Sequence, residues 1–358
     1  MTQHTFDQPS ASPAIPMRRK AIRLDGASLV RMTPMLAGRR LPLLCEPETA
    51  GVNLADWADR NRALVSARLQ EHGAILFRNF PVGTAAQFDQ CISAMSGGAL
   101  EYTFRASPRT QVDPGLNIYT STDYPSDRRI FPHNEHSYSP VFPLRLFLWC
   151  DVAPEYRGET PIGDTREIYQ AIAPDVRERF ARKKIMYVRN YGDGFGLPWQ
   201  TVFQTENRAD VEAYCRSVGI SVEWKADGRL RTRQVGPAIV RHPHTGEALW
   251  FNHATFFHVS TLPPDARDAL RADFADDDLP QNTCYGDGSP IEADVLDHLR
   301  AAYSNAMIEF PWQRGDVLLL DNMLAVHARN EFQGPRRILV SMADAFRSAD
   351  LQLDVHEG

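Results

Sequence analysis

The segment Phe131-Pro132-His133-Asn134-Glu135-His136-Ser137-Tyr138 places an imidazole and a carboxylate two positions apart. Pro132 biases the residue before it toward extended backbone, and residues two apart in a strand project from one face. His133 and Glu135 would then reach the same ion. A neutral imidazole and a carboxylate suit a first-row divalent metal. Two His and one carboxylate leave three adjacent coordination positions open, the arrangement of non-haem Fe(II) oxygenases. A lone His-x-Glu reads equally well as the polar edge of a strand. A third ligand would have to come from elsewhere. The run Gly315-Asp316-Val317-Leu318-Leu319-Leu320-Asp321-Asn322 leads toward His327, which a buried strand would deliver to the mouth of a barrel. Arg337 follows in Gly334-Pro335-Arg336-Arg337-Ile338-Leu339-Val340. A guanidinium leading a buried strand needs an anionic partner, and its fork favours a bidentate carboxylate. The plainer reading is a solvated basic pair at a strand start.

Short strands must carry these groups. Apolar runs over 74–77, 146–149, 185–188, 238–241, 248–251, 317–320 and 338–342 read as strands. Turn signals such as His244-Thr245-Gly246, Gly286-Asp287-Gly288 and Gly334-Pro335 punctuate them. Helical patterns cover 54–72, 84–95, 165–181, 209–217, 264–274 and 291–304, with Gly73 a stop and Thr84 a cap. Many short strands with turns between them point to a β-barrel or sandwich decorated by helices. There is no repeat at a fixed period. Residues 1–24 read as a mobile leader, and 25–358 as a single domain.

Composition narrows the class. The chain has 358 residues, a net charge of −6, 43% hydrophobic and 23% charged residues. That balance disfavours nucleic acid as a partner. No apolar run approaches the length of a membrane span. The five cysteines are scattered without a CxxC pair, and the N-terminal stretch lacks an apolar signal core, so a reducing, cytoplasmic setting is expected.

The chain resembles the taurine-dioxygenase-like (TauD/TfdA) family of Fe(II)/2-oxoglutarate-dependent oxygenases, and within it the branch typified by the syringomycin-pathway aspartate hydroxylase. The resemblance covers roughly 40–345. It rests on Pro132-His133-Asn134-Glu135, Gly158-Glu159-Thr160-Pro161, Trp250-Phe251-Asn252-His253, Gly315-Asp316-Val317 through Asp321-Asn322, and His327 followed by Arg337. It implies a mainly β fold, a double-stranded β-helix (jelly-roll, cupin-like) core with helical insertions. It implies His133, Glu135 and His327 as iron ligands. Arg337 matches the residue that pairs with the distal carboxylate of 2-oxoglutarate, and Thr160 a hydroxyl supporting it. Arg336 takes that place if the register is shifted by one; strand alternation lets only one of the two face inward. Glu135 also disfavours halogenation, since halogenating relatives carry a small residue there.

The resemblance implies Fe(II), 2-oxoglutarate and O2 as the reaction's requirements. It also implies an amino acid or carrier-bound aminoacyl substrate in specialised metabolism. Hydroxylation is the default outcome; desaturation, epoxidation and cyclisation use the same iron centre. Asn117, Tyr119 and Thr122 are candidates to line the substrate pocket. Arg329 would pair with a substrate carboxylate or brace the barrel. His136 falls on the strand face opposite Glu135, as a packed residue or a substrate contact. His253 and His258 would pack near the cavity mouth, and His242 and His244 in a turn. Trp149, Phe251 and Trp312 are candidates to shield the site. Two other readings stand beside this one. A non-catalytic metal- or ligand-binding β-barrel would need no 2-oxoglutarate clamp. An oxygenase acting on proteins would be expected to carry reader domains or basic tails.

Overall fold

In the computed structural model, which describes residues 29–100, 110–113, 115–122, 124–192, 197–226 and 228–353, two sheets face each other across the barrel. The larger runs, in spatial order, Val30–Pro34, Leu43–Pro47, Ala74–Phe77, Val317–Asp321, Val141–Val152, Arg337–Arg347 and Tyr119–Thr120. The smaller runs Met307–Ile308, Ile162–Asp164, Ala325–Arg329 and Ile130–His133. Together they form the jelly-roll core, mixed with helices. The expected leader over 1–24 lies outside the described residues.

The central strands are apolar on both faces because both faces are covered. Phe147, Trp149, Val317, Leu319 and Leu339 pack outward against the helices Leu54–Arg60, Arg62–His72 and Ala85–Met95. Their neighbours Leu146, Leu148, Leu318, Leu320, Ile338 and Val340 pack inward, with Ile162, Ala325 and Trp312, between the two sheets. The expected helix over 54–72 is two helices, broken at Asn61, whose backbone N–H caps the first through Trp57 and Ala58. Gly73 closes the second with φ 77°, a left-handed conformation that costs glycine little. The expected helix over 165–181 also divides, because Pro174 lacks the N–H that would continue it and begins a new helix, Pro174–Lys183.

An insertion packs beside the barrel. It holds the sheet Ile220–Trp224, Leu230–Gly236, Ile185–Tyr191 and Gln281–Tyr285, with the helices Trp199–Phe203 and Arg208–Ser217. Among the described residues, no helix is long and apolar enough to cross a membrane.

Candidate active site

His133 ends its strand in antiparallel register with His327 on the neighbouring strand. Their ring centroids are 4.4 Å apart. One ligand atom from each of His133, Glu135 and His327 lies within 4.8 Å of the others. Glu135 Oε2 is 3.8 Å from His327 Nε2. His133 Nδ1 sits 2.9 Å from the Phe131 carbonyl oxygen; as the donor there it fixes the tautomer and leaves Nε2 for an ion. Glu135 is 4% exposed, and a carboxylate so buried requires a positive partner. Two imidazole nitrogens and one carboxylate, converging beside a cavity, fit Fe(II) by donor chemistry.

Glu135 does not reach this position along a strand, as expected from its spacing. The strand stops at His133, and 135–138 form a turn. Asn322 holds the turn. Its Oδ1 accepts from the Glu135 N–H at 2.7 Å, and its Nδ2 donates to the Glu135 and Pro143 carbonyls, both at 2.8 Å. Asn134 returns the link, donating to the Asn322 and Ala325 carbonyls at 2.6 and 3.2 Å. One carboxamide thus ties the Glu135 backbone to the turn that feeds the His327 strand. Asp321 shapes that turn by accepting from the N–H groups of Met323 and Leu324 at 3.0 and 3.1 Å. His242 Nδ1 accepts from the N–H groups of His244 and Thr245, so Nε2 carries the proton and donates to Asp321 at 3.1 Å.

A cavity of about 430 Å³ opens beside the two imidazoles, with Thr160, Arg336, Ile338 and Val340 on its walls. Arg336 Nη2 donates to Thr160 Oγ1 at 3.2 Å, and Nε to the Gly158 carbonyl at 2.8 Å. Trp312 Nε1 donates to the same hydroxyl at 3.1 Å. Burial, with the positive charge of Arg329 second, pulls the Arg336 guanidinium down to about 10, so it remains charged at neutral pH. Gly158 has φ +74°, and a Cβ there would lie 2.8 Å from Phe332 and Pro154 atoms, so this close turn requires glycine.

Arg337 is a correction. Its side chain is 57% exposed and pairs with Asp151 on the outer side. Strand parity is the cause. Ile338 and Val340 face the cavity, and Arg336 shares their side, whereas Arg337 shares the side of Leu339. The fallback register is the one the geometry supports.

The other candidates separate. Thr122 lies on the cavity wall. Tyr119 packs in the inner core with Leu148 and Val340, behind the wall those two residues form, and is not among the described residues that line the cavity. Asn117 is likewise removed from the cavity; its amide donates to the Ala99 carbonyl and its own carbonyl accepts from Ser341. Arg329 reaches the wall, but its guanidinium donates to the carbonyls of Tyr124, Pro125 and Arg128, the bracing alternative. His136 takes a left-handed φ of 56° instead of the strand geometry expected, and its Nε2 is 3.2 Å from Glu135 Oε1.

Two further expectations on shielding change. Trp149 stacks on Phe88 in the outer core, and Phe251 packs on Phe142, so neither shields the site. Phe256 instead lies 4.5 Å from the His133 ring. His253 is held by Ser137, whose Oγ is 2.6 Å from Nδ1. Burial first, then the His133 imidazole, holds His253 well below the usual histidine range. The roles of Asn134 and Asn322 were missed. Both stand inside the motifs, yet a spacing rule carries no information about which backbone a carboxamide will bind.

The sequence profile of the taurine catabolism dioxygenase TauD, TfdA family matches residues 37–343. The chain is 40% identical over 276 residues to the dapdiamide synthesis protein DdaC of Enterobacter agglomerans, covering 77% of this chain and 83% of that one. It is 32% identical over 287 residues to a clavaminate synthase-like protein of Arabidopsis thaliana, covering 76% and 82%. The fold is similar to PvcB of Pseudomonas aeruginosa at TM-score 0.56 and 15% identity, covering 91% and 96% of the two chains.

Proposed function

The chain belongs to the TauD/TfdA dioxygenase family, and we propose that His133, Glu135 and His327 are its iron ligands, with Arg336 and Thr160 holding the distal carboxylate of 2-oxoglutarate. It is a 2-oxoglutarate-dependent non-haem iron dioxygenase that requires Fe(II), 2-oxoglutarate and O2. The bound iron supplies the activation of O2 that couples decarboxylation of 2-oxoglutarate to succinate and CO2 with oxidation of an unactivated C–H bond. The observation that carries the site assignment is one cavity with the His-Glu-His cluster beside it and the Arg336–Thr160 pair on its wall.

The chain's own groups divide the work. Arg336 offers a charged fork, oriented from behind by the Gly158 carbonyl. The Trp312 N–H donates to Thr160, so the hydroxyl's own proton can point to a carboxylate oxygen. Leu148, Ile338 and Val340 keep that wall apolar and exclude water. Asn322 fixes the Glu135 backbone, so binding and release of co-substrate need not move the carboxylate.

For the substrate, an amino acid or a carrier-bound aminoacyl group in specialised metabolism is the reading supported by the relative named for dapdiamide synthesis. Hydroxylation is the first outcome to test, with desaturation, epoxidation and cyclisation as alternatives at the same centre. The extent of the family match supports reading the chain from residue 25 as one oxygenase domain. A cytoplasmic location suits the five free cysteines.

The test is anaerobic reconstitution with Fe(II), then 2-oxoglutarate, watching for the weak visible charge-transfer band of the chelate. The wild type should give the band, and His133→Ala and His327→Ala should not. Iron binding without a band in the wild type would refute the assignment. A screen of free and carrier-tethered amino acids for succinate release coupled to gain of one oxygen would then identify the substrate.

A further inference from the structure

The Arg336 fork is held along one edge. Nε donates to the Gly158 carbonyl at 2.8 Å and Nη2 to Thr160 Oγ1 at 3.2 Å. Both donors belong to the same side of the planar guanidinium, which leaves the Nη1–Nη2 end for a carboxylate. A plane fastened along one edge can still pivot about that edge. The nearby charge of Arg329 favours such a pivot, because it bears on Arg336 and is second only to burial in making the charged form less favourable. A pivoting fork would meet the distal carboxylate of 2-oxoglutarate with one hydrogen bond where a fixed fork offers two.

Phe332 lies against this fork. The Arg336 Cζ stands over the Phe332 ring at 5.5 Å from its centroid, and the Arg329 Cζ at 5.4 Å. Both fall within the range over which the negative face of a ring attracts a cation, so one ring offsets part of the repulsion between two neighbouring guanidiniums. The ring is placed by its backbone. Phe332 opens the short strand Phe332–Gln333 and pairs with Arg157 in the strand Tyr156–Arg157. Its N–H donates to the Ser126 carbonyl at 2.9 Å, and the Glu331 carbonyl before it accepts from the Gly158 N–H at 3.0 Å. Glycine permits this approach, since a Cβ on Gly158 would lie 2.8 Å from the Phe332 Cβ. The residue that accepts from Arg336 is thus packed against the residue whose ring faces it.

We infer that Phe332 is a positioning residue for co-substrate binding: its ring stops the pivot of the Arg336 guanidinium and so sets the direction of the N–H groups offered to the distal carboxylate. The inference rests on the proposed role of Arg336 and adds a residue that is not among the described residues lining the cavity. The preference for a 2-oxo diacid over the matching monoacid is then governed by a side chain that acts only through Arg336. Packing alone makes a different demand. If the ring only filled space, its removal would loosen the corner and weaken every 2-oxo acid that enters the cavity. A positioning role weakens only those that carry the distal carboxylate.

The test uses the full chain, anaerobic with Fe(II), titrated by calorimetry with 2-oxoglutarate and with 2-oxopentanoate, which has the same carbon chain and no distal carboxylate. The wild type should prefer 2-oxoglutarate. Phe332→Leu keeps an apolar side chain and removes the ring face. It should lower that preference about three- to thirtyfold, the range of a cation–π contact, entirely through weaker 2-oxoglutarate binding. Phe332→Tyr keeps the ring face and should retain the preference. An unchanged preference in Phe332→Leu, equal weakening of both acids, or loss of the preference in Phe332→Tyr would overturn the inference. Arg336→Gln tests the reading beneath it. If the preference survives in Arg336→Gln, or the wild type shows none, Arg336 does not hold the distal carboxylate and both readings fall. If Arg336→Gln erases the preference and Phe332→Leu leaves it intact, the inference on Phe332 falls alone.

Discussion

Exchanging Arg336 and Arg337 one at a time for Gln gives the sharpest division between two adjacent residues of one type. Arg336 faces the cavity and already donates to Gly158 and Thr160. A hydrogen bond to a charged group contributes about 1.5–3 kcal/mol, so Arg336→Gln should raise the 2-oxoglutarate requirement about 10- to 150-fold. Its stability should change little, because losing two hydrogen bonds is offset by no longer desolvating a cation. Arg336→Lys restores the charge without the planar fork and should recover only part of the affinity. Arg337, 57% exposed and paired with Asp151, is a surface ion pair of about 0–1 kcal/mol. Arg337→Gln should shift the 2-oxoglutarate requirement by less than about twofold on that basis. The assay is anaerobic titration of the Fe(II) protein with 2-oxoglutarate, following the charge-transfer band, with denaturant unfolding in parallel. A large effect at Arg337 with none at Arg336 would refute the strand parity and with it the assignment of the cavity.

Two further outcomes follow from buried groups. Asn322→Ala removes three hydrogen bonds at a fully buried position and strands the N–H and carbonyl of Glu135. It should destabilise by about 3–5 kcal/mol and weaken Co(II) binding measured by titration; unchanged metal affinity would show that Glu135 is held some other way. His258 is brought down to about 4, by burial first and then by Arg300 and Arg271. The folded protein therefore refuses a proton that the unfolded chain takes below about 6.5, so stability is lost as pH falls from 6.5 toward 4. That gap is worth about 3 kcal/mol, and the pH profile of unfolding should be flatter by that amount in His258→Gln; an unchanged profile would mean His258 titrates normally.

The His133, Glu135 and His327 cluster was legible as a candidate metal site because a chelate constrains both residue type and chain order. His133, Glu135 and His327 could be named before any contact was known. The route that brings Glu135 there was not legible, since His-x-Glu on a strand and His-x-Glu entering a turn are the same letters. The strand over 338–342 was visible, but its facing was not. Ile338 and Val340 pack inward while Leu339 packs outward, and a run apolar on both sides carries no phase. Arg336 and Arg337 inherit that ambiguity. Asn117 was misplaced for a related reason: nearness in sequence to the metal strand does not determine which backbone its amide will bind.

The same physics explains why the candidate metal cluster and the packing behind it differ in how openly the sequence declares them. Ligand geometry admits few residue types, so the cluster is written in short motifs. The wall behind it is written in aromatic residues from the insertion and from the chain just past Glu135, and each of those rings is also good core material. The Tyr138 ring meets His253 and Phe257, and His253 meets the His133 ring. Tyr138→Ala should therefore lower stability to denaturant more than it weakens Co(II) binding, because Tyr138 packs in that wall but is not one of the His133, Glu135 and His327 cluster; a larger loss of metal affinity than of stability would refute that division.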